Sequence, residues 1–461
     1  MFKRYLGDRT FYRRIAGVAV PIIIQNTITN FVSLLDNIMV GQTSTVQMSG
    51  VAIINQLMFI FYLCIFGAMA GAGIFTAQFH GSCDHEGVRR TFRYKMIAGL
   101  VIGIGGIALF YFADSQLVSL YLQSDSDPTE RAQTLYYGLE YLHMMLWGLL
   151  PFALANAYSS TLRETGQTKV PMAAGVVAVL VNLCLNYVFI FGHFGLPAMG
   201  AKGAALATII SRYVEFAIVF GWTHLNPQRN PFIVGAYRSA YIPGSLLKKI
   251  FIKGSPLLVN EFLFALGLAF VNQCYSVRSL DVLAATNISS TIYNICSVLY
   301  LSMGNTIGII MGQMMGSGSS KESVRDAFRK MTALSIGSCA IFAVVLLGLS
   351  SLFPQLYNTS DAVRSLATQI IMIQALAMPF HGYIHAVYFA MRSGGKTVIT
   401  FLFDSGYIWI VMVPLAFCLS RFTLIPVIWI LAICNGAEAL ECVVGKIMIS
   451  KDTWIQDLTK L

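Results

Sequence analysis

Apolar runs of eighteen residues or more recur along the whole chain, separated by short clusters of Arg, Lys, Asp, Glu, Gly and Pro. A helix needs about 20 such residues to cross the hydrocarbon core of a bilayer. The runs are continuous and do not alternate in and out, as the strands of a membrane barrel would. The pattern predicts an all-α polytopic membrane protein with twelve spans: 15–40, 48–80, 96–122, 133–162, 170–192, 200–225, 249–277, 282–315, 330–355, 363–391, 397–419 and 423–448. The longer ones must tilt, bend or project beyond the bilayer.

The pattern also repeats. PIIIQN at Pro21 reappears as PLLVNE at Pro256, and AQFHG ending at Gly81 reappears at the same displacement as GQMMG ending at Gly316. VRRTFRYK (88–95) answers VRDAFRKM (324–331), Pro151-Phe152 answers Pro379-Phe380, and LRETGQT (162–168) answers MRSGGKT (391–397). Spans 1–6 and 7–12 are therefore two copies of one six-helix unit. Six is even, so both copies face the same way and are related by a pseudo-two-fold along the membrane normal. The expected organisation is an N-terminal lobe at 1–225, a cytoplasmic linker at 226–248 and a C-terminal lobe at 249–461.

Composition agrees: 56% of the 461 residues are hydrophobic and 11% are charged. A soluble domain carries about 25% charged residues. The net charge of +10 points to anchoring of cytoplasmic loops, and no nucleic-acid partner is expected. Lysines and arginines fall twenty-five to one set of connections and span ends and five to the other, with Arg212 alone inside a span. Both termini are thus expected in the cytoplasm of a multi-pass protein of the plasma or inner membrane. The basic start, MFKRYLGDRTFYRR, leads into a first span expected to be kept as an anchor, since no small-residue cleavage site follows. The nine cysteines form no CxxC pair, which supports neither a zinc knuckle nor a disulfide frame.

Ionisable residues inside spans are costly in lipid and mark candidate function. Asp36 lies about 30 Å from the inner end of span 1 at 1.5 Å per residue, in its outer half. Asn26, Thr29, Ser33 and Asp36 are spaced 3, 4 and 3, one helical face suited to line a cavity. Span 5 carries Asn182 and Asn186 one turn apart, and span 6 carries Thr208 in its outer half. Such amides and hydroxyls either bond between helices or supply oxygens to a hard cation. Glu261 sits near mid-membrane five residues after Pro256, and Asp404 lies two turns from the cytoplasmic end of span 11. Arg212 with Glu215, and Glu438 and Glu441 with Lys446 nearby, are expected to be structural ion pairs. His381 and His385 share a face of span 10, but no further ligand completes a metal site. They suit a substrate cavity or a titrating role, as Tyr293 and Tyr383 suit a π-rich surface for organic cations. Pro21 and Pro256 interrupt helices and are candidate hinges.

Several stretches together carry a family resemblance: LLDNIMVGQTS, GAGIFTAQFHG, VNLCLNYVFIFG (181–192), GAKGAALATIISRYVE (200–215), PLLVNE, MRSGGKT and FDSGYIWIVMVPLAF (403–417). In order, spacing and duplication they resemble the multidrug and toxic compound extrusion (MATE) transporters, over nearly the whole chain. The resemblance implies two six-helix lobes around a central cavity, alternating access, and efflux driven by Na⁺ or H⁺. It implies that Asn182, Asn186 and Thr208 approach Asp36. Asn186 stands where related sequences usually have an aspartate. Glu261 resembles the glutamate of the sodium-coupled branch, whose helix-10 aspartate has no counterpart at 363–391.

The expected function is an antiporter that exports amphipathic, cationic organic compounds in exchange for Na⁺ or H⁺, as a monomer in the lipid bilayer and without a resident cofactor. The cation-coupling set is Asp36, Asn182, Asn186, Thr208, Glu261 and Asp404, and the one metal expected is Na⁺ at Asp36. A lipid-linked oligosaccharide flippase would need a more cationic cavity than the single deep base Arg212 offers. A membrane-embedded enzyme would need a nucleophile, metal or phosphate-loop constellation that the spans lack. A channel is a third alternative: the six-plus-six repeat with acids in both halves favours alternating access, while the sequence alone does not exclude a pore.

Overall fold

The computed structural model describes residues 5–41, 44–121, 128–357 and 359–460, without the side chains of Ser33, Leu34, Asn37, Ile38, Thr45, Ser276 and Leu280. Among the described residues there are helices and no strands, and twelve helices are long and apolar enough to cross a membrane. They are α1 (Arg9–Gly41), α2 (Thr45–Gly81), α3 (His85–Phe112), α4 (Pro128–Glu164), α5 (Lys169–Phe191) and α6 (Ala201–Leu225). The second six are α7 (Gly244–Ser276), α8 (Leu280–Gly316), α9 (Lys321–Leu349), α10 (Asp361–Ser393), α11 (Thr397–Phe422) and α12 (Val427–Ser450).

Two expected spans end early. The span at 96–122 stops at Phe112, and a short helix, Asp114–Ser119, follows. The backbone bends at Ala113, and on the short helix Asp114 accepts from Ser115 N at 2.5 Å and lies 2.7 Å from His143 Nε2 of α4. The span at 330–355 stops at Leu349, and Pro354 leads a 3₁₀ turn, Phe353–Leu356. Pro21 and Pro256 lie inside continuous helices. In α11 the helix breaks at Asp404, then widens to a π turn over Ile408–Met412 just before Pro414. Proline cannot donate to the preceding turn, so that turn takes the wider form.

The helices gather into two compact units. One holds residues 24–76 and 85–248. Its apolar core joins Ile54, Met58 and Ile65 of α2 to Leu142, Leu149 and Ala153 of α4 and Ala205 of α6. At its base Lys95 of α3 is fully buried and paired with Glu164 of α4, with Ser160 Oγ at 3.1 Å and Thr161 Oγ1 at 3.3 Å completing the ammonium's bonds. The segment after α6 is docked on α3. Arg93 donates to Ala236 O at 2.8 Å and Gly235 O at 2.9 Å, Arg89 donates to Phe232 O at 3.3 Å, and Phe92 packs on Phe232. Those two arginines thus satisfy backbone carbonyls of that segment.

The other unit holds the chain up to Ile23, Ala77–Asp84 and residues 249 onward. Here the last turns of α2 and α8 meet backbone to backbone. A Cβ on Gly81 would strike the Gln313 carbonyl, and one on Gly316 would strike the Gln78 carbonyl. Gln78 and Gln313 are themselves repeat equivalents, as are the two glycines, so the crossing is its own mirror across the duplication. Gln78 then closes over the C-terminal tail: its Nε2 donates to Ser393 O at 2.9 Å and Gln456 O at 3.1 Å, and its Oε1 accepts from Leu458 N at 2.6 Å. Trp454 is buried beneath that tail.

Two stability predictions follow from these contacts. Gly316→Ala should cost about 1–3 kcal/mol, since the backbones must part, whereas Gly244→Ala, with open space around it, should leave the melting temperature in detergent unchanged. Lys95→Met should cost about 3–5 kcal/mol by stranding Glu164, and the double variant Lys95→Met/Glu164→Gln should recover most of that in the same measurement.

Candidate functional site

Asp36 lies near the end of α1, after a run of Ile, Val and Leu that keeps the helix in its apolar surroundings. Two amides and a hydroxyl meet it. Asn186 Nδ2 donates to Asp36 Oδ1 at 2.6 Å and is 3.2 Å from Asn182 Oδ1. Asn182 reaches Thr208 Oγ1 at 3.2 Å. With its amide turned over, Asn182 donates to both Asp36 oxygens at 3.0 Å and accepts from Thr208 Oγ1 at 3.2 Å. The one-turn spacing of the two asparagines puts both on the buried face of α5. Asn186 is 1% exposed, and its Oδ1 has no hydrogen-bond partner among the described residues. Asp36, Asn182, Asn186 and Thr208 therefore form one cluster. Asn26 is half-buried and Thr29 exposed on α1, while the Ser33 side chain lies outside the described residues.

The second repeat builds a different arrangement. Glu261 is half-buried on α7, but its neighbour Asn260 does the bonding. Asn260 Nδ2 donates to Asp404 Oδ2 at 2.7 Å and to Tyr388 Oη at 3.3 Å. Its Oδ1 accepts from Ser405 Oγ at 2.7 Å. Asn260 thereby clamps the broken turn of α11 to α7. Arg392 lies within electrostatic reach of Glu261 and bonds to the Tyr388 hydroxyl. Asp404 in turn feels Glu261 and Glu441. Asn260, Ser405 and Arg392 are not among the expected site residues. The signal for Asn260 was its alignment with Gln25, also one residue before a polar position, four after the repeat's proline.

The ring-bearing residues divide. Tyr300 of α8 stacks on His381 with centroids 5.0 Å apart and lies 4.5 Å from His385; Tyr293 meets His381 edge-on at 6.0 Å. Tyr383 packs instead against the apolar core around Met303 and Phe389. His381 Nδ1 is 3.6 Å from Glu438 Oε2, so α12 faces α10 through that pair. The expected partner, Lys446, is exposed and pairs with neither Glu438 nor Glu441 among the described residues. It is five residues beyond Glu441, which turns it to another face of the helix. Arg212 and Glu215 do pair, at 3.3 Å. Among the described residues no three His, Cys, Asp or Glu side chains are grouped to hold a metal ion.

The half-buried acids Asp36, Glu261 and Asp404 lie on helices of a duplicated twelve-helix frame, and Asp36 and Asp404 are met by side-chain amides. Comparison with known proteins identifies that frame. The family model described as MatE matches residues 21–188 and 256–418, one block in each repeat. The chain is 24% identical over 431 residues to a probable multidrug resistance protein NorM of Thermotoga maritima, covering 92% of this chain and 89% of that one. It is 26% identical over 374 residues to the multidrug resistance protein MdtK of Pectobacterium atrosepticum, covering 79% and 78%. In fold it is similar to an outward-facing multidrug resistance MATE transporter of the MOP superfamily, with a TM-score of 0.86, 17% identity and 98% coverage of each chain. It is similar also to a mutant of the Vibrio cholerae MATE transporter VcmN, with a TM-score of 0.82, 19% identity and coverage of 97% and 99%. With both repeats matched and the fold shared end to end, the chain belongs to the MatE family of multidrug efflux transporters, which are not enzymes.

Proposed function

We propose that this transporter exports amphipathic organic cations in exchange for Na⁺ or H⁺, and that Asp36 is its principal ion-binding carboxylate. The observation that carries this reading is the orphaned Asn186 Oδ1, buried beside the acid. A buried acceptor without a donor is costly, and a cation held between it and Asp36 would remove that cost. The available donors, a carboxylate, two amides and a hydroxyl, are the oxygen ligands a hard cation takes. A proton on Asp36 is the other form of the same neutralisation. Glu261 and Asp404 serve as a second station in the second repeat, with Arg392 as the counter-charge of Glu261 and Asn260 as the hydrogen-bond donor to Asp404. Tyr293, Tyr300, His381 and His385 supply a π-rich face for a cationic substrate.

In this mechanism the ion arrives from outside, neutralises Asp36 and loosens its grip on Asn186. That lets α1 shift about Pro21, with Pro256 as the corresponding joint of α7. Ion and drug each weaken the other's binding, and by linkage the factor is the same in both directions. The protein works as a monomer in the plasma or inner membrane, with both termini in the cytoplasm, no resident cofactor and no nucleic-acid partner.

Asp36→Asn should insert and elute from detergent columns as the parent does, yet lose at least tenfold in dye efflux from inverted vesicles; parental efflux by this variant overturns the reading. A Na⁺ gradient and a pH gradient, imposed separately, should show one of them driving substrate; movement under neither rules out antiport. For orientation, exposed Cys83, kept as the single cysteine, should react with an impermeant maleimide only in inverted vesicles. Phe194→Cys in the α5–α6 connection should react only in right-side-out ones.

A further inference from the structure

Arg212 has an ion partner, so it reads at first as a structural charge. Its position says more. Thr208, Arg212 and Glu215 follow at i, i+4 and i+7 on α6 and share one face. Thr208 touches Asn182, which with Asn186 surrounds Asp36. Arg212 is thus one helical turn along α6 from Thr208, the member of the cluster on that helix. Three elements hold it there: Glu215 at 3.3 Å, the Tyr62 hydroxyl of α2, and the Phe152 ring of α4, whose centroid is 4.7 Å from Arg212 Cζ. Buried Tyr141 of α4 lies within electrostatic reach of both Arg212 and Asp36, and Arg163 acts on Glu215. The charge of Arg212 is itself felt at Asp36. The groups facing this network are thus Asp36 from α1, Tyr62 from α2, Tyr141 and Arg163 from α4, the neutral Asn182 and Asn186 from α5, and Glu215 from α6.

We propose that Arg212 is a tethered counter-cation that competes electrostatically with the coupling ion for Asp36, and that Glu215 sets the strength of that competition. The inference rests on Asp36 being the ion-binding carboxylate. A guanidinium keeps its charge under all physiological conditions. When the coupling ion leaves, Asp36 still has a positive charge in its field, which makes release possible in a low-dielectric site. When the ion binds, two positive charges share the region, which keeps affinity moderate. Glu215 draws off part of the Arg212 field and stops it from saturating the acid. Arg212 is in this sense a positioning residue: it tunes the ion site without touching the ion.

The test is the half-saturating concentration of whichever gradient ion, Na⁺ or H⁺, drives dye efflux by the parent in vesicles. A unit charge one to two turns from an ion site changes binding by roughly tenfold at the effective dielectric of a protein interior. Arg212→Gln should therefore lower the half-saturating concentration about tenfold, and Glu215→Gln should raise it about tenfold. The double variant Arg212→Gln/Glu215→Gln should return near the parent, and Arg212→Lys should stay near it. Opposite single shifts that cancel are not produced by misfolding. If Arg212→Gln fails to reach the membrane, Glu215→Gln and the double variant carry the test. Shifts of the same sign, or none, while Asp36→Asn abolishes the ion response, overturn the role of Arg212 and leave the coupling reading standing. An Asp36→Asn variant with parental ion dependence overturns the coupling reading, and this inference with it.

Discussion

A polar group inside a bilayer has no water to turn to, and the interior of each unit is arranged around that constraint. Lys95, with no exposed side-chain surface, has Glu164 and two hydroxyls around it. Carbonyls of the short 3₁₀ helix and turns after α6 are taken up by Arg89 and Arg93. At the break in α11, Asn260 donates to the Asp404 carboxylate and accepts from the backbone N–H of Ser405. Asn186 Oδ1 is one of several buried polar atoms without a hydrogen-bond partner among the described residues, and it belongs to the amide that donates to Asp36.

The duplication did not copy the chemistry. Gln25 in the first repeat packs its amide against Gly175 of α5, while its equivalent Asn260 reaches across to the acid of α11. The first repeat keeps its acid on α1 and surrounds it with neutral amides. The second places Glu261 on α7 and Asp404 on α11 and sets Arg392 nearby. The sixth helix of the first repeat carries Arg212, whereas the sixth helix of the second carries Glu438 and Glu441. One frame thus holds an acid site with a basic neighbour in one copy and an acid-rich interior facing a histidine in the other.

Much of this was legible from residues alone, for reasons that differ by feature. Span number and class follow from run length, because the bilayer sets a fixed thickness. The spans end at Phe112 and Leu349 although apolar residues continue beyond both, because hydropathy does not report where the chain bends into a separate short helix or 3₁₀ turn. Asp36 was visible as a charge in an apolar run. Its meeting with Asn182, Asn186 and Thr208 could come only from family likeness, since 150 residues separate Asp36 from Asn186 in the chain. Asn260 and Ser405 were invisible because a neutral polar residue in a span looks like packing. Lys446 misled because nearness in sequence ignores the helical turn.

The crossing of α2 and α8 has a consequence for history. Gly81 makes room for the backbone of one repeat and Gly316 for the backbone of the other, so neither half can complete the joint by itself. A forerunner of half this length, carrying one such glycine and one such glutamine, would have had to meet a second copy of itself, inserted in the same direction, to form it. Closed two-fold pairing of identical chains supplies that arrangement directly. The fusion of two copies would then have freed the polar residues on either side to diverge, while the contact at the axis stayed bound to its partner.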